Sequence, residues 1–284
     1  ILIAILFAMY SYYSNMSIDI YVVSAFFMGW FLRDLMTGVN HSSNASSYVG
    51  GYTELDHKVL NLTRTESPWM NLGKWNGIDC KTYAEACRDL ARAVGDAADL
   101  RRNDVLLDVG FGRGAQLLVW SQDYKVKDIC GLNISRAEVE HAKQLVTSAH
   151  KKSTFDLRVG DATRLPWSEQ RFDRVIAMDC AYHFVTRERF FREARRVLCK
   201  NGKLTLADMI LKTEPRGILQ RLMIRLMCTL SGIPRENLVT LDSYVDSLKR
   251  NDFKDVRIIE QFEVGSGFHD FMTRHEKEWG DVVR

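Results

Sequence analysis

The sequence predicts an α/β fold, a doubly wound and mostly parallel sheet with helices on both faces, preceded by an N-terminal hydrophobic helical segment. Three observations predict it. Residues 105–109, Val-Leu-Leu-Asp-Val, are an apolar run broken only by Asp108, as a strand buried on both faces requires. Glycines at alternate positions, Gly110, Gly112 and Gly114, then turn the chain tightly, and residues 115–120 can open a helix whose free N–H groups face that turn. Beyond this point strand-like and helix-like segments alternate regularly to residue 207, the pattern of parallel strands joined by crossover helices.

Taken in order, residues 1–36 form a hydrophobic segment. Residues 1–9 and 20–32 are apolar, a polar patch separates them, and Asp19 is the only charge before Arg33. Each piece is shorter than the roughly 20 residues that span a bilayer. Three readings fit: a partial span plus a second membrane-touching helix, a hairpin dipping into one leaflet, or a shortened signal peptide. Trp30, Phe31 and Tyr10, Tyr12 and Tyr13 sit where interfacial aromatics belong, so the segment predicts membrane association, and the scattered cysteines predict a main body facing the cytosol. The alternative is a buried helix capping the domain.

Residues 37–78 read as a linker and lid. Residues 40–51 are short, polar and end in glycine, and glycosylation sequons stand at Asn40 and Asn44. Residues 68–77 hold two tryptophans and two glycines with neither helical nor strand period, as a lid or access loop would.

The main body is expected over residues 79–284. Asp79 is a candidate cap for a helix with Tyr83, Cys87, Leu90, Ala91 and Val94 on one face. After the glycine turn, residues 129–132 predict a strand ending at Asn133. Ser135 and Glu138 predict a capping box for a helix that buries Val139, Ala142, Val146 and Ala149. Phe155, Leu157 and Val159 alternate as a third strand running into Gly160-Asp161-Ala162. A fourth strand covers residues 175–178, a helix then buries Phe190, Phe191, Ala194, Val197 and Leu198, and a turn at residues 199–202 starts a fifth strand, 204–207. Residues 216–230 are amphipathic and basic, which suits a lid at about 212–240, a membrane-surface helix or a core helix. Residues 241–253 predict a helix and 256–259 a sixth strand. The chain starts at Ile1 rather than Met and ends soon after that strand, which predicts further residues at one or both ends.

Composition sets limits. The 284 residues are 46% hydrophobic, enough for a sizeable core, and Lys+Arg 39 against Asp+Glu 36 leaves only +3. With no long basic run, nucleic acid is not an expected partner. The six cysteines form no Cys-x-x-Cys pair, so neither a zinc site nor a disulfide framework is indicated, and no metal is expected.

In doubly wound sheets ligands bind beyond the carboxyl ends of the strands, and Gly110, Asn133, Asp161, Asp179 and Asp208 all fall there. A chance Asp-x-Gly-x-Gly-x-Gly is expected in about one per cent of chains this long. Together with Gly131-Leu132-Asn133-Ile134-Ser135, Gly160-Asp161-Ala162, Phe172-Asp173-Arg174-Val175, and Arg196-Val197-Leu198 with Gly202, that motif resembles the ordered motifs of class I S-adenosylmethionine-dependent methyltransferases over about residues 83–208. The likeness extends in particular to the small-molecule branch of sterol, tocopherol, phosphoethanolamine and sugar O-methyltransferases. Nicotinamide folds usually carry Gly-x-Gly-x-x-Gly instead.

The resemblance implies S-adenosyl-L-methionine as cofactor, touched by Asp108, Gly110, Gly112, Gly114, Asn133, Asp161, Ala162 and Asp179. Asp108 would order the loop and hold the ammonium group. Asn133 stands where the family often has an acid bonded to the ribose hydroxyls, and Asp161 would meet the adenine amine beside the Ala162 N–H. His183 resembles the histidine that some members use as a base. Its alternative is a pocket-shaping residue. Tyr182 would either orient the acceptor or line the site. The acceptor expected is small and lipophilic, reached at the membrane. The alternatives are a soluble metabolite methylated on oxygen or nitrogen, and a cofactor-binding protein without catalysis.

Overall fold

The computed structural model describes residues 68–75, 82–149, 153–211, 213–230 and 232–259. The expectations for residues 1–36, the linker with its sequons, and Asp79 lie outside them. Among the described residues no helix is long and apolar enough to cross a membrane.

Five parallel strands form one sheet in the order β3-β2-β1-β4-β5: β1 Val105–Val109, β2 Asp128–Asn133, β3 Thr154–Val159, β4 Phe172–Met178 and β5 Leu198–Ala207. Alternate residues along the central strands feed two cores, as the period of two demands. Leu106, Ile176 and Met178 join the core under α1 (Tyr83–Ala98), α2 (Ala115–Gln122) and α3 (Arg136–Ser148), with Trp120 buried at its centre. Leu107, Val109, Val175 and Ala177 join the other, under α4 (Arg187–Val197) and α6 (Leu241–Arg250). The sheet is thus wound on both faces.

Local sequence explains where most elements start. The cap of α1 is Thr82, whose hydroxyl accepts from the Glu85 N–H while Glu85 accepts from the Thr82 N–H. Its five expected apolar residues are all buried. The α3 cap is Ser135 as expected, but the reciprocal half of the box is missing because the Glu138 carboxylate turns to Asn133. On α3 Val139, Ala142 and Val146 are buried, whereas Ala149 is the half-buried C-cap. In α4 Thr186 is the cap, and Phe190, Phe191, Ala194 and Val197 are buried.

Several expectations are corrected. β3 is an edge strand, so only Leu157 of its alternating set is buried and Val159 is 40% exposed. β4 starts three residues earlier than expected, and Leu198 opens β5 instead of ending α4. The turn at residues 199–202 lies within β5, where pairing jumps from Phe172–Leu198 to Arg174–Lys203. Residues 256–259 are not a strand. Positive φ at Asp252 and Asp255 turns the chain so that Phe253 and Val256 pack on the α4–α6 core.

Between β5 and α6 the chain makes an excursion containing α5 (Ile218–Leu230) and a 3-10 turn, Arg235–Asn237. Its base is closed where Leu211 pairs with Thr240. Asn237, buried, pins its return limb: Nδ2 donates to the carbonyls of Tyr182 and Phe184, and Oδ1 accepts from the Arg187 N–H. The loop after β4 is thereby held at both ends.

Candidate active site

A cleft with about 1100 Å³ between its walls and mouth opens beyond the carboxyl ends of β1 to β4. Its floor is the glycine turn. Gly110 has φ +79°, and a Cβ built there would lie 2.5 Å from Cys180 Sγ, so only glycine fits between β1 and the loop after β4. Gly112 faces Met70 of the 68–75 loop, which forms the opposite wall.

Asp108 does not line the cleft. It is fully buried, with both carboxylate oxygens accepting from Gln116 Nε2 at 2.9 Å and one accepting from Trp120 Nε1 at 2.6 Å. Burial pushes its carboxyl up to about 6 against those hydrogen bonds. Its observed work is to tie β1 to α2 across the glycine turn. Gln116, which does reach the cleft, is a contact that sequence reasoning missed. Gly114 also stays away from the cleft. It is the N-cap of α2 at φ +95°, and a Cβ there would meet Ala142 Cβ at 2.7 Å, so it allows α2 and α3 to close on each other.

At the end of β2, Asn133 lines the cleft with its amide oriented. Nδ2 donates to Glu138 at 2.7 Å and to the Gly112 carbonyl at 3.2 Å, and Oδ1 accepts from the Ser135 N–H. Glu138 lines the same wall. Burial holds its carboxyl above the usual range, opposed by the Asn133 hydrogen bond and Arg113. Glu138 was read only as a capping residue, because its spacing from Ser135 matches that role. After β3 come Gly160, Asp161 and Ala162, all on the cleft. Asp161 accepts from Thr163 N–H and Oγ1 through a single oxygen, Oδ1.

The loop after β4 supplies the remaining side. Asp179 lines the cleft at φ +56°, accepting from Leu72 N–H at 2.7 Å and from the Tyr182 hydroxyl at 3.1 Å. It therefore fastens the 68–75 loop to the sheet, and burial raises its pKa. Tyr182 is 2% exposed and absent from the cleft wall, with its ring packed 4.4 Å from that of His183. His183 does line the cleft. Its Nδ1 lies 3.4 Å from the Gly232 carbonyl, and burial lowers its pKa to about 4, so the ring is neutral at ordinary pH. Phe184 and Val185 make the adjoining mouth apolar.

Asp208 is set behind this wall. It pairs with Arg187 at 3.0 Å, accepts from the Tyr244 hydroxyl at 2.9 Å, and is pushed up to about 6 because burial outweighs the arginine.

The donor set suits S-adenosylmethionine. Carboxylates at Glu138 and Asp161 can accept from hydroxyls and an amine, apolar Leu132, Ile134 and Ala162 can flank a flat ring, and the glycine turn leaves room beside the backbone. Asn71, 5% exposed and on the cleft wall, braces the 68–75 loop by accepting from Gly73 N–H through Oδ1 and from the Tyr83 hydroxyl through its backbone carbonyl. No local pattern in the sequence marks Asn71.

Comparison with known proteins agrees with this geometry. A family model described as a methyltransferase domain matches residues 107–206. The chain is 33% identical over 207 residues to erythromycin 3''-O-methyltransferase of Saccharopolyspora erythraea, covering 72% of this chain and 66% of that protein. It is 31% identical over 146 residues to 27-O-demethylrifamycin SV methyltransferase of Amycolatopsis mediterranei, covering 51% and 53%. The chain thus spans just under two thirds of the first relative and about half of the second. Mycolic acid cyclopropane synthase CmaA1, solved in complex with SAH and CTAB, superposes with a TM-score of 0.66 at 18% identity, over 86% of this chain and 84% of that one, a likeness of fold.

Proposed function

Since the chain belongs to the class I S-adenosylmethionine-dependent methyltransferases of the small-molecule type, we propose that it moves a methyl group onto a hydroxyl of a small lipophilic acceptor. The observation that carries this reading is a single cleft bringing Gly110, Asn133, Glu138, Asp161 and His183 together beside an apolar mouth.

When bound, the cofactor supplies a methyl carbon activated by the sulfonium charge. Displacement at that carbon would leave the electron pair on sulfur and set free the acceptor's hydroxyl proton, which a residue of this chain must take. The hydroxyl proton goes to His183. The Gly232 carbonyl beside Nδ1 favours the tautomer protonated there, so that Nε2 is the accepting nitrogen. A ring with a pKa of about 4 is always in its basic form at neutral pH, though it is a weak base. Its contribution is therefore largest where the hydroxyl loses its proton as the new bond forms.

The other residues bind and align. Glu138, oriented by Asn133, accepts from the ribose hydroxyls. Asp161 and Ala162 address the adenine edge. Asp108, Asp179 and Tyr182 act as positioning residues for the turn, the 68–75 loop and the His183 ring. Alignment of this kind is the main contribution available to an in-line displacement.

Trp69, Met70, Phe184 and Val185 around the mouth favour an apolar acceptor, the apolar runs 1–9 and 20–32 favour action at a membrane, and the free cysteines suit a catalytic body facing the cytosol. Labelled S-adenosylmethionine incubated with the chain and a lipid extract should yield label in the organic phase. Label appearing only in water-soluble products would overturn the lipophilic acceptor, and the absence of cofactor binding in calorimetry would overturn the reading altogether.

A further inference from the structure

Helix α5 turns its apolar stripe outward. Ile218 is 78% exposed, Leu219 63%, Leu222 54% and Leu226 56%, whereas Gln220, Met223, Ile224 and Cys228 are half-buried toward the fold. At 100° per residue the four exposed residues share an arc of about 100°. Arg221 and Arg225, both exposed, border that arc one turn apart, and the helix contains no acid. Exposed Glu214 and Arg216 precede it and offset each other. An apolar face of this size with basic edges is foreign to an ordinary solvated surface.

The charge pattern selects the occupant. In a symmetric pairing of two copies through this face, the arginines of each copy would find no acid on the other helix to oppose them. An anionic bilayer offers what the face lacks, acyl chains for the leucines and phosphates for the guanidinium groups. The helix also lies next to the cleft. Gly232, just beyond it, is the residue whose carbonyl meets His183, and the excursion is closed at its base by Leu211 and Thr240.

We propose that α5 docks on an anionic lipid surface, with Ile218, Leu219, Leu222 and Leu226 entering the headgroup boundary and Arg221 and Arg225 on lipid phosphates. This rests on the lipophilic acceptor reading above and deepens it, because docking there opens the cleft mouth beside the bilayer that holds the acceptor. The apolar runs 1–9 and 20–32 could hold the chain to a membrane without α5, so the test reads α5 itself.

Hydrogen–deuterium exchange of the whole chain, read peptide by peptide, tests it. Vesicles of phosphatidylcholine with phosphatidylglycerol should slow exchange in residues 218–230 at least tenfold, and vesicles of phosphatidylcholine alone should not. Arg221→Gln with Arg225→Gln should weaken that protection about fivefold per arginine. Leu222→Ser with Leu226→Ser should abolish it while leaving cofactor affinity unchanged. Unaltered α5 exchange on vesicles that bind the chain would overturn the proposal. So would equal protection on neutral vesicles, protection that rises with protein concentration without lipid, or protection already complete without lipid. Methylation of a detergent-dispersed lipid extract with α5 exchange unaltered would sink the docking alone. Protected α5 with no labelled lipid product would sink the acceptor reading alone.

Discussion

Asn133 at the end of β2 donates its amide hydrogen to the carboxylate of Glu138 on α3 at 2.7 Å, so the acid expected at the strand end is carried five residues further on. The amide cannot turn over without losing its bond from the Ser135 N–H as well. Hydrogen bonds to charged groups contribute about 1.5–3 kcal/mol. Glu138→Ala should therefore weaken S-adenosylhomocysteine binding at least tenfold in calorimetry. Asn133→Ala should cost less, and the two losses should not add, since each residue acts through the other.

His183 should matter for turnover and little for binding. His183→Ala is expected to lower kcat by about 10²- to 10⁴-fold with cofactor affinity changed less than twofold. An imidazole titration followed by NMR should show its inflection near 4, and the rate should stay level between pH 6 and pH 8 as far as this residue governs it. A rate that falls as the pH drops through the ordinary histidine range would assign the proton to another group.

Asp108 should leave a mark on stability. Its carboxyl is raised from 3.8 to about 6 in the folded chain, so between those values the folded state binds more protons than the unfolded one. Its contribution to stability is present below the unfolded pKa and is lost as pH rises through about 6. Asp108→Asn removes that titration. Urea melts should accordingly show the variant gaining on the wild type from pH 5 to pH 7, and a constant difference would contradict the buried position.

Gly114 tests packing rather than binding. Gly114→Ala adds a Cβ at 2.7 Å from Ala142 Cβ on a backbone with φ +95°, which should cost about 1–3 kcal/mol in urea denaturation. Ala142→Gly in the same chain should relieve only part of this loss, because the backbone Cα of residue 142 stays 3.0 Å from the added Cβ and the φ strain remains; an unchanged melt for Gly114→Ala would contradict the close packing.

The pattern of apolar runs, glycines and caps was enough to place the parallel sheet, because each buried strand and each helix face must be written locally in residues of the right period. Strand ends at Gly110, Asn133 and Asp161 were legible for the same reason. Less was legible where burial depends on neighbours: Val159 alternates correctly yet lies at a sheet edge, and residues 256–259 are apolar enough for a strand but are turned away at Asp252 and Asp255.

The sequence by itself determined the fold class, the glycine turn and the family, since these rest on contiguous residues and their spacing. Only the tertiary structure decided which side chains face the cleft. It turned Asp108, Gly114 and Tyr182 away to brace the walls, and brought in Asn71, Gln116 and Glu138, whose place on the cleft depends on contacts beyond their own turn of chain. The outward stripe of α5 belongs to the same class: its amphipathic period is written in the chain, but which side meets the protein is set by packing, which left the leucines outside. Long-range contacts choose the environment of a side chain, and its environment decides its chemistry.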